Sequence, residues 1–324
     1  MNGRKNWKRI AVILLIAGLL VCGASLATLG FDFKKLNTVK YTTNTYEPEA
    51  SFQHICIDTD TADIKFELSE DGICKVVCHE DEKEQHRVRV EGNTLLIEKD
   101  KKSVWQFLFI NFGSWTDSPS VTVYLPEKEY KALSVDASTG DVVIPADFTF
   151  ESIRVKVSTG DIQCKASAAG DITLQTSTGH ISLSGVSAAS VSLTTSTGGM
   201  DAANVTCAGC METKVSTGSA AMENITCGSF VSDGDTGSIS MTRVIATGEL
   251  NVTRDTGSVR FDGCDAETIC VETDTGDVTG TLLTEKVFIT DTDTGSVDVP
   301  RTITGGRCEI STDTGDIRIE IQGN

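Results

Sequence analysis

The feature that most constrains this chain is a tripeptide, Ser-Thr-Gly or Asp-Thr-Gly, that occurs ten times between residues 138 and 315. Successive copies are 19 or 20 residues apart, and their glycines are Gly140, Gly160, Gly179, Gly198, Gly218, Gly237, Gly257, Gly276, Gly295 and Gly315. Regular spacing is typical of repeat proteins, in which each unit buries its apolar face only against its neighbours. The sequence therefore predicts one small structural unit repeated about ten times.

Apolar residues alternate with polar ones on both sides of each glycine. They fall two and four positions after it, as at Ile181 and Leu183, and seven and five positions before it, as at Ile172 and Leu174. A period of two is that of a strand with one buried face. Each unit thus predicts two short strands joined at a glycine corner, and the expected fold class is all-β, a β-solenoid with coils of about 19–20 residues.

The tripeptide suits a tight turn between two strands. Glycine adopts a positive φ without steric cost, and Ser, Thr or Asp side chains can bond to the backbone at a bend. Stacked corners would form ladders of side chains, with serine before the threonine in the first five copies. In the last five copies this residue is aspartate, at Asp235, Asp255, Asp274, Asp293 and Asp313.

The aspartate ladder raises the question of calcium. Carboxylates stacked about 5 Å apart repel one another, and a calcium ion with several oxygen ligands would relieve that repulsion. The five aspartates are therefore weak calcium candidates. The favoured alternative is a solvated acidic edge without metal, because solvent screens exposed charges. No other cofactor is expected.

Asp-Thr-Gly also matches the loop that carries the catalytic carboxylate of aspartic proteases. Those enzymes need two such loops facing each other, so that two carboxylates share one proton. Here the copies recur in register, and half of them have serine in place of aspartate. Because no nucleophile, base or phosphate-binding loop is recognisable either, we expect no enzyme. A polysaccharide-active β-helix enzyme is the minor alternative.

Two cysteines occupy equivalent positions in successive repeats. Cys207 and Cys227 each lie nine residues after their corner glycines, Gly198 and Gly218. Adjacent coils should bring their Cα atoms to about 5 Å, within the range that a disulfide accepts. A cross-coil disulfide and an unoxidised cysteine ladder in the core are both consistent with this spacing.

The N-terminus indicates a membrane anchor. Residues 10–29 are uncharged and follow a basic segment, residues 1–9, which contains Arg4, Lys5, Lys8 and Arg9. Twenty apolar residues suffice to cross a bilayer, and the basic side stays in the cytoplasm. We therefore expect one transmembrane helix with the C-terminal domain extracellular. A cleaved signal peptide is the main alternative.

The rest of the chain divides into three parts. Residues 31–50 are predicted as a stalk, residues 51–135 as a strand-rich beginning and cap of the solenoid, and residues 136–324 as the regular repeat. The aromatic segment 105–115 is interpreted either as a docking loop or as a core strand. The net charge of −18 disfavours nucleic acid as a partner.

The run Val121-Thr-Val-Tyr-Leu-Pro126, the segment 133–144 with its first Ser-Thr-Gly-Asp, and the repeated units resemble a bacterial domain family of unknown function called "putative adhesin" or toastrack. The resemblance covers roughly residues 50–321. It implies an envelope protein with a β-helix-like domain, often joined to membrane segments and associated with envelope-stress sensing. It supplies no catalytic residues.

These observations favour a membrane-anchored, non-enzymatic cell-surface β-solenoid that acts as an adhesin or envelope-binding module. Its expected partners are an envelope component, a surface ligand or a membrane protein. The alternative is an envelope-stress sensor or regulator that acts through membrane partners, because the cytoplasmic tail of nine residues is too short to signal alone.

Overall fold

The structure is a computed structural model that describes residues 13–18, 20, 40–99 and 118–322. Residues 13–18 and 20 are helical, and no helix within the described ranges is long and apolar enough to cross a membrane. Most of the predicted transmembrane segment 10–29 lies outside those ranges. The predicted tail 1–9 and the aromatic segment 105–115 lie outside them entirely.

Two long sheets, here named A and B, face each other across one apolar core. The regular coils supply sheet A with β9 (Val142–Ile144), β11 (Ile162–Cys164), β14 (Ile181–Ala188), β16 (Met200–Cys207), β18 (Ala220–Cys227), β20 (Ile239–Ala246), β22 (Val259–Cys264) and β24 (Val278–Leu282). They supply sheet B with β8 (Glu129–Thr139), β10 (Thr149–Thr159), β13 (Asp171–Thr178), β15 (Ser190–Thr197), β17 (Cys210–Thr217), β19 (Ser229–Thr236), β21 (Glu249–Thr256) and β23 (Thr268–Thr275), while β12 (Ser167–Ala168) pairs with β10.

Neighbouring coils pair in parallel with the predicted register. Ile181 of β14 lies beside Met200 of β16, which in turn lies beside Ala220 of β18. The inward positions on both sides of these corners are buried, including Leu174 and Leu183. The all-β solenoid with coils of about 20 residues is therefore confirmed.

Each corner glycine lies directly against the corner of the neighbouring coil. Gly198 has a φ of 134°, and its N–H donates to the carbonyl of Thr217 at 2.9 Å. A Cβ at Gly198 would lie 2.0 Å from the carbonyl oxygen of Gly179. Both the positive φ and this close approach exclude a larger residue.

The side chains that bond at the corner are not those predicted. The Ser or Asp of the tripeptide is exposed in every copy except that of Ser216, which is half-buried, and the bonding is done by two other positions. The residue after the glycine accepts an amide hydrogen from the next coil, as when Asp161 Oδ1 accepts from the N–H of His180 at 2.7 Å. Three positions before the glycine, five coils have a threonine that donates to a neighbouring glycine carbonyl, as Thr176 does to Gly160 at 3.0 Å.

A second bend lies six residues after the glycine, within the sheet A strands. Here φ is positive in five successive coils, at Gly185, Asn204, Asn224, Arg243 and Gly263. Asparagine and glycine tolerate this conformation best. Asn224 Nδ2 also donates to Asn204 Oδ1 at 2.9 Å, which links two coils at the bend.

The C-terminal coils are stacked out of sequence order. The strands are β25 (Lys286–Thr294), β26 (Val297–Asp298), β27 (Gly306–Thr314) and β28 (Ile317–Ile321). The last coil in sequence, β27 and β28, lies between β23/β24 and β25/β26. The sequential stacking implied by the repeat is wrong here, and so is the inward position of Val297, which is 44% exposed on the terminal coil.

The N-terminal end has a similar inversion and an antiparallel cap. The strands are β1 (Tyr41–Tyr46), β2 (His54–Thr61), β3 (Asp63–Leu68), β4 (Lys75–Asp81), β5 (His86–Glu91), β6 (Thr94–Lys99) and β7 (Ser120–Leu125). The first coil, β2/β3, lies between β6/β7 and β8/β9, and β4 and β5 pair antiparallel outside β7 and β6.

The predicted stalk is therefore too long at its C-terminal end. Strand β1 falls inside residues 31–50, yet it pairs antiparallel with β4 over its whole length. Its Tyr- and Thr-rich sequence suits a half-buried edge strand. Residues 41–46 belong to the cap.

Replacing a corner glycine should unfold the stack much more readily than replacing a bend glycine. We expect Gly198→Ala to cost about 3 kcal/mol or more, because strain at positive φ adds to overpacking against Gly179. Gly185→Ala, where a Cβ meets nothing within 4 Å, should cost only about 1–2 kcal/mol. Urea unfolding followed by circular dichroism would measure both, and equal midpoints would contradict the close-packing argument.

Candidate binding face

The five ladder aspartates line one exposed edge of the solenoid. Because of the inverted C-terminal order, Asp313 lies between Asp274 and Asp293. Within the described residues, no three of the ladder carboxylates bring oxygens within 4.8 Å of one another. The edge is thus an array of separated charges, and calcium binding there stays a prediction.

A shallow depression of about 390 Å³ lies beside this edge, on the outer surface of sheet A. It crosses five adjacent coils, which corresponds to about 19 Å along the solenoid at the usual strand spacing. Its lining consists mainly of short side chains from the two outward columns that follow the corner glycines, with Ser219, Ala221, Ser238, Ser240, Ser258 and Thr279 among them.

The depression exists because one outward column has small side chains in its middle coils and larger side chains in the coils on either side. Three positions after the glycine, the side chains run Gln163, Ser182, Asp201, Ala221, Ser240 and Arg260 from coil to coil. Ala221 is exposed on the outer face and presents only a methyl group. The larger Asp201 and Arg260 stand on either side of it and form walls.

Charged groups of both signs stand at the ends of the depression. On one side Asp201 Oδ2 lies 3.0 Å from His180 Nε2, and both side chains are substantially exposed. On the other side the lining includes Arg260 and Asp277. The depression therefore offers both hydrogen-bond donors and acceptors at its ends.

Hydroxyl groups line the floor in an ordered row. Ser238 Oγ accepts the amide hydrogen of Ser258 at 3.1 Å, and Ser258 Oγ accepts that of Asp277 at 3.3 Å. A hydroxyl that accepts a bond still has a hydrogen of its own to donate. The backbone thus orients the serine oxygens while their hydrogens can face a ligand.

Cys207 and Cys227 lie on adjacent coils, as predicted. Thr206 and Thr226 are paired in parallel, so the cysteines that follow them are neighbours. Both are buried free thiols, and each donates to a backbone carbonyl, Cys207 to Gly209 at 3.7 Å and Cys227 to Ile245 at 3.9 Å. The neighbouring thiol lowers the pKa of Cys207 and raises that of Cys227, because a thiol beside a thiolate can donate to it. We therefore expect Cys207 to be the attacking thiol of the pair.

A sequence profile of the Toastrack DUF4097 family matches residues 52–214 and 209–324. The chain belongs to this Toastrack family. The resemblance noted in the sequence is confirmed, and the family is one of unknown function. No curated protein matches this Toastrack chain.

Several solved structures align with this Toastrack protein. A putative adhesin from Bacteroides fragilis is 18% identical, with 88% of this chain and 99% of that chain covered and a TM-score of 0.44. A putative lipid binding protein from Parabacteroides distasonis is 14% identical, with coverage of 88% and 98% and a TM-score of 0.47. A putative adhesin from Parabacteroides merdae is 12% identical, with coverage of 76% and 98% and a TM-score of 0.45.

Oxidation should join the two neighbouring thiols. With a disulfide-exchange reagent such as oxidised glutathione, the Cys207 thiolate attacks the reagent and Cys227 then displaces it, leaving one S–S bond and two reduced glutathione molecules. We expect peptide mapping to recover Cys207 linked to Cys227, and the linked protein to be about 3 kcal/mol more stable. Cys164→Ser is a matched control that should not change the linkage. Recovery of both cysteines without a disulfide, after oxidation of folded protein, would contradict this prediction.

Proposed function

We propose that this Toastrack protein is a membrane-anchored, non-enzymatic cell-surface module that binds an extended polar component of the bacterial envelope along sheet A. The observation that carries this proposal is the depression beside the corner edge, with its row of serine hydroxyls between Asp201 and Arg260. A rigid parallel stack holds these groups in register over several coils. Extended ligands with repeating units match such a surface.

The chemistry of the depression favours a carbohydrate. Sugar hydroxyls both donate and accept hydrogen bonds, as do the serine side chains of the floor. The charged walls can bond to sugar hydroxyls from either end. A ligand with a strong negative charge is disfavoured, because the chain carries a net charge of −18.

The proposed topology has residues 1–9 in the cytoplasm, residues 10–29 across the membrane and the solenoid outside the cell. Strand β1 starts at Tyr41, and it pairs within the antiparallel cap. The cap would therefore lie on the membrane side, with the regular coils extending away from it. Such an arrangement presents the outer face of sheet A to envelope components.

A binding role is also supported by the geometry of the Asp-Thr-Gly corners. Successive corners stack along one edge, as Thr236 and Thr256 do, rather than facing one another across a cleft. An acid–base pair of the aspartic-protease type needs two such loops meeting face to face. The envelope-stress sensor has no comparable observation in its favour among the described residues.

Filling the depression should abolish ligand binding without unfolding the protein. Ala221→Tyr places a large exposed ring between the walls, and tyrosine suits a strand. The matched control is Gln163→Tyr, in the same outward column but three coils away and outside the depression. Binding of purified envelope polysaccharide fractions to the wild-type protein should fall at least tenfold with the first variant and stay unchanged with the second. If both variants bind the polysaccharide as well as the wild-type protein does, the binding site lies elsewhere.

Protease shaving of intact cells tests the topology. With a C-terminal tag, we expect loss of the tag from intact cells and a membrane-bound N-terminal remnant. Protection of the tag until lysis would contradict the extracellular assignment. Loss of the tag without a membrane-bound remnant would favour the cleaved signal peptide instead. Co-purification with a membrane kinase or transporter, together with absent polysaccharide binding, would favour the sensor.

A further inference from the structure

We infer that the antiparallel cap contains a binding site for a borderline-soft divalent cation such as zinc, with Cys78, Glu80 and His86 as ligands. This site is separate from the depression on sheet A. It does not depend on the proposed carbohydrate binding. Its role would be to lock the cap onto the first coil of the solenoid.

Three different donor types converge at one point. Cys78 Sγ, a carboxylate oxygen of Glu80 and a ring nitrogen of His86 all lie within 4.8 Å of one another, and all three residues are buried. Thiolate, carboxylate and imidazole are the usual ligands of zinc in proteins. Among the described residues, no other set of three or more His, Cys, Asp or Glu side chains meets this distance.

The local structure explains why these side chains meet. Cys78 and Glu80 are two residues apart on β4, so they point to the same inner face. His86 is the first residue of β5, and only residues 82–85 connect the two strands. The chain thus turns from one sheet to the other and brings the imidazole over the β4 side chains.

The thiol of Cys78 is the feature that most directly indicates a metal-binding site. Its side chain is fully buried and lies beside the Glu80 carboxylate, but no hydrogen bond of its thiol occurs within the described residues. Burial, followed by the negative charge of Glu80, raises the pKa of this thiol to about 12. Some buried cysteines donate to a backbone carbonyl, as Cys164 does. Cys74 and Cys308 share the unbonded state of Cys78, but among the described residues no carboxylate and imidazole converge on them. A thiol held against a carboxylate without a partner is suited to a cation between them.

The surrounding contacts orient the other two donors. Glu80 Oε1 accepts a hydrogen bond from Asn44 Nδ2 at 2.7 Å, while Oε2 accepts the backbone N–H of His86 at 2.7 Å and faces the imidazole. His86 Nε2 lies 2.9 Å from Thr59 Oγ1, so Nδ1 is the nitrogen directed at the site. Metal-binding histidines commonly use their second nitrogen in this way to fix tautomer and ring orientation.

The charge balance also suits a divalent ion. Glu80 Oε2 and His86 Nδ1 are 2.6 Å apart and share a hydrogen. With a neutral imidazole, zinc would displace the thiol hydrogen of Cys78, and the imidazole hydrogen would move from Nδ1 to Nε2, where Thr59 Oγ1 can accept it. One proton leaves as one dication enters, so the buried negative charge of Glu80 is neutralised. Zinc–ligand lengths of about 2.0–2.3 Å require the 2.6 Å contact to open by roughly 0.7 Å.

Cobalt(II) and zinc titrations of the full-length protein in detergent test the site. We expect one cobalt ion to bind per chain, with a thiolate-to-cobalt charge-transfer absorption that zinc abolishes. Cys78→Ser should remove the absorption and weaken zinc binding at least a hundredfold. Cys164→Ser, which changes another buried cysteine, should leave both unchanged. Circular dichroism would check that each variant is folded.

A second readout concerns the cap itself. Excess zinc should raise the unfolding midpoint of the wild-type protein and of Cys164→Ser, but not that of His86→Gln. The proposal is wrong if folded wild-type protein binds no cobalt through a thiolate. It is also wrong if Cys78→Ser keeps the absorption, because the metal would then bind at another cysteine.

Discussion

The close approach of corner backbones is the constraint on which the rest of this structure depends. Parallel strands on adjacent coils are separated by about 4.8 Å, and at the corner the carbonyl of one glycine occupies the volume that a Cβ of the next would need. The N–H of each corner glycine other than Gly295 bonds to the threonine carbonyl of the neighbouring coil. Because successive corners are fixed in this way, side chains at equivalent positions form straight columns both inside and outside the solenoid.

A stack of parallel coils has two ends, and this protein treats them differently. At the N-terminal end, β1, β4 and β5 add antiparallel strands, and the aromatic side chains of Phe52 and Tyr130 stack on each other in the core of the first coils. At the C-terminal end, β25 and β26 form the outermost coil, with Val287 and Ile289 partly exposed. Lys286 anchors this coil through its buried ammonium group, which lies 2.6 Å from Asp265. At the N-terminal end, the outermost parallel coil, β6/β7, pairs with a coil that precedes it in sequence, β2/β3. At the C-terminal end, the outermost coil, β25/β26, pairs with a coil that follows it, β27/β28.

The sequence predicted the regular coils because their apolar positions and glycines recur with one period. It could not predict the inverted order of the ends, since Gly295 and Gly315 have the same spacing whichever coil is outermost. The second bend could have been found, because asparagine or glycine recurs six residues after the corner at Gly185, Asn204 and Asn224. Of the candidate site, the cysteine pair was predictable from register, but the depression was not, because it depends on the relative sizes of outward side chains.

Buried polar groups show how much freedom the columns allow. Arg254 occupies the inward column that elsewhere contains Thr176 or Val157, and it is accommodated because the next coil has Gly234 there. Its guanidinium donates to Ser232 Oγ at 2.8 Å, and burial lowers its pKa. A change of size in one coil is thus compensated in the neighbouring coil. On the outer face no such compensation is needed, because solvent accepts any side chain. Outward columns such as the one containing Ala221 can therefore vary in size and charge without disturbing the core, and this makes the outer face the natural place for recognition.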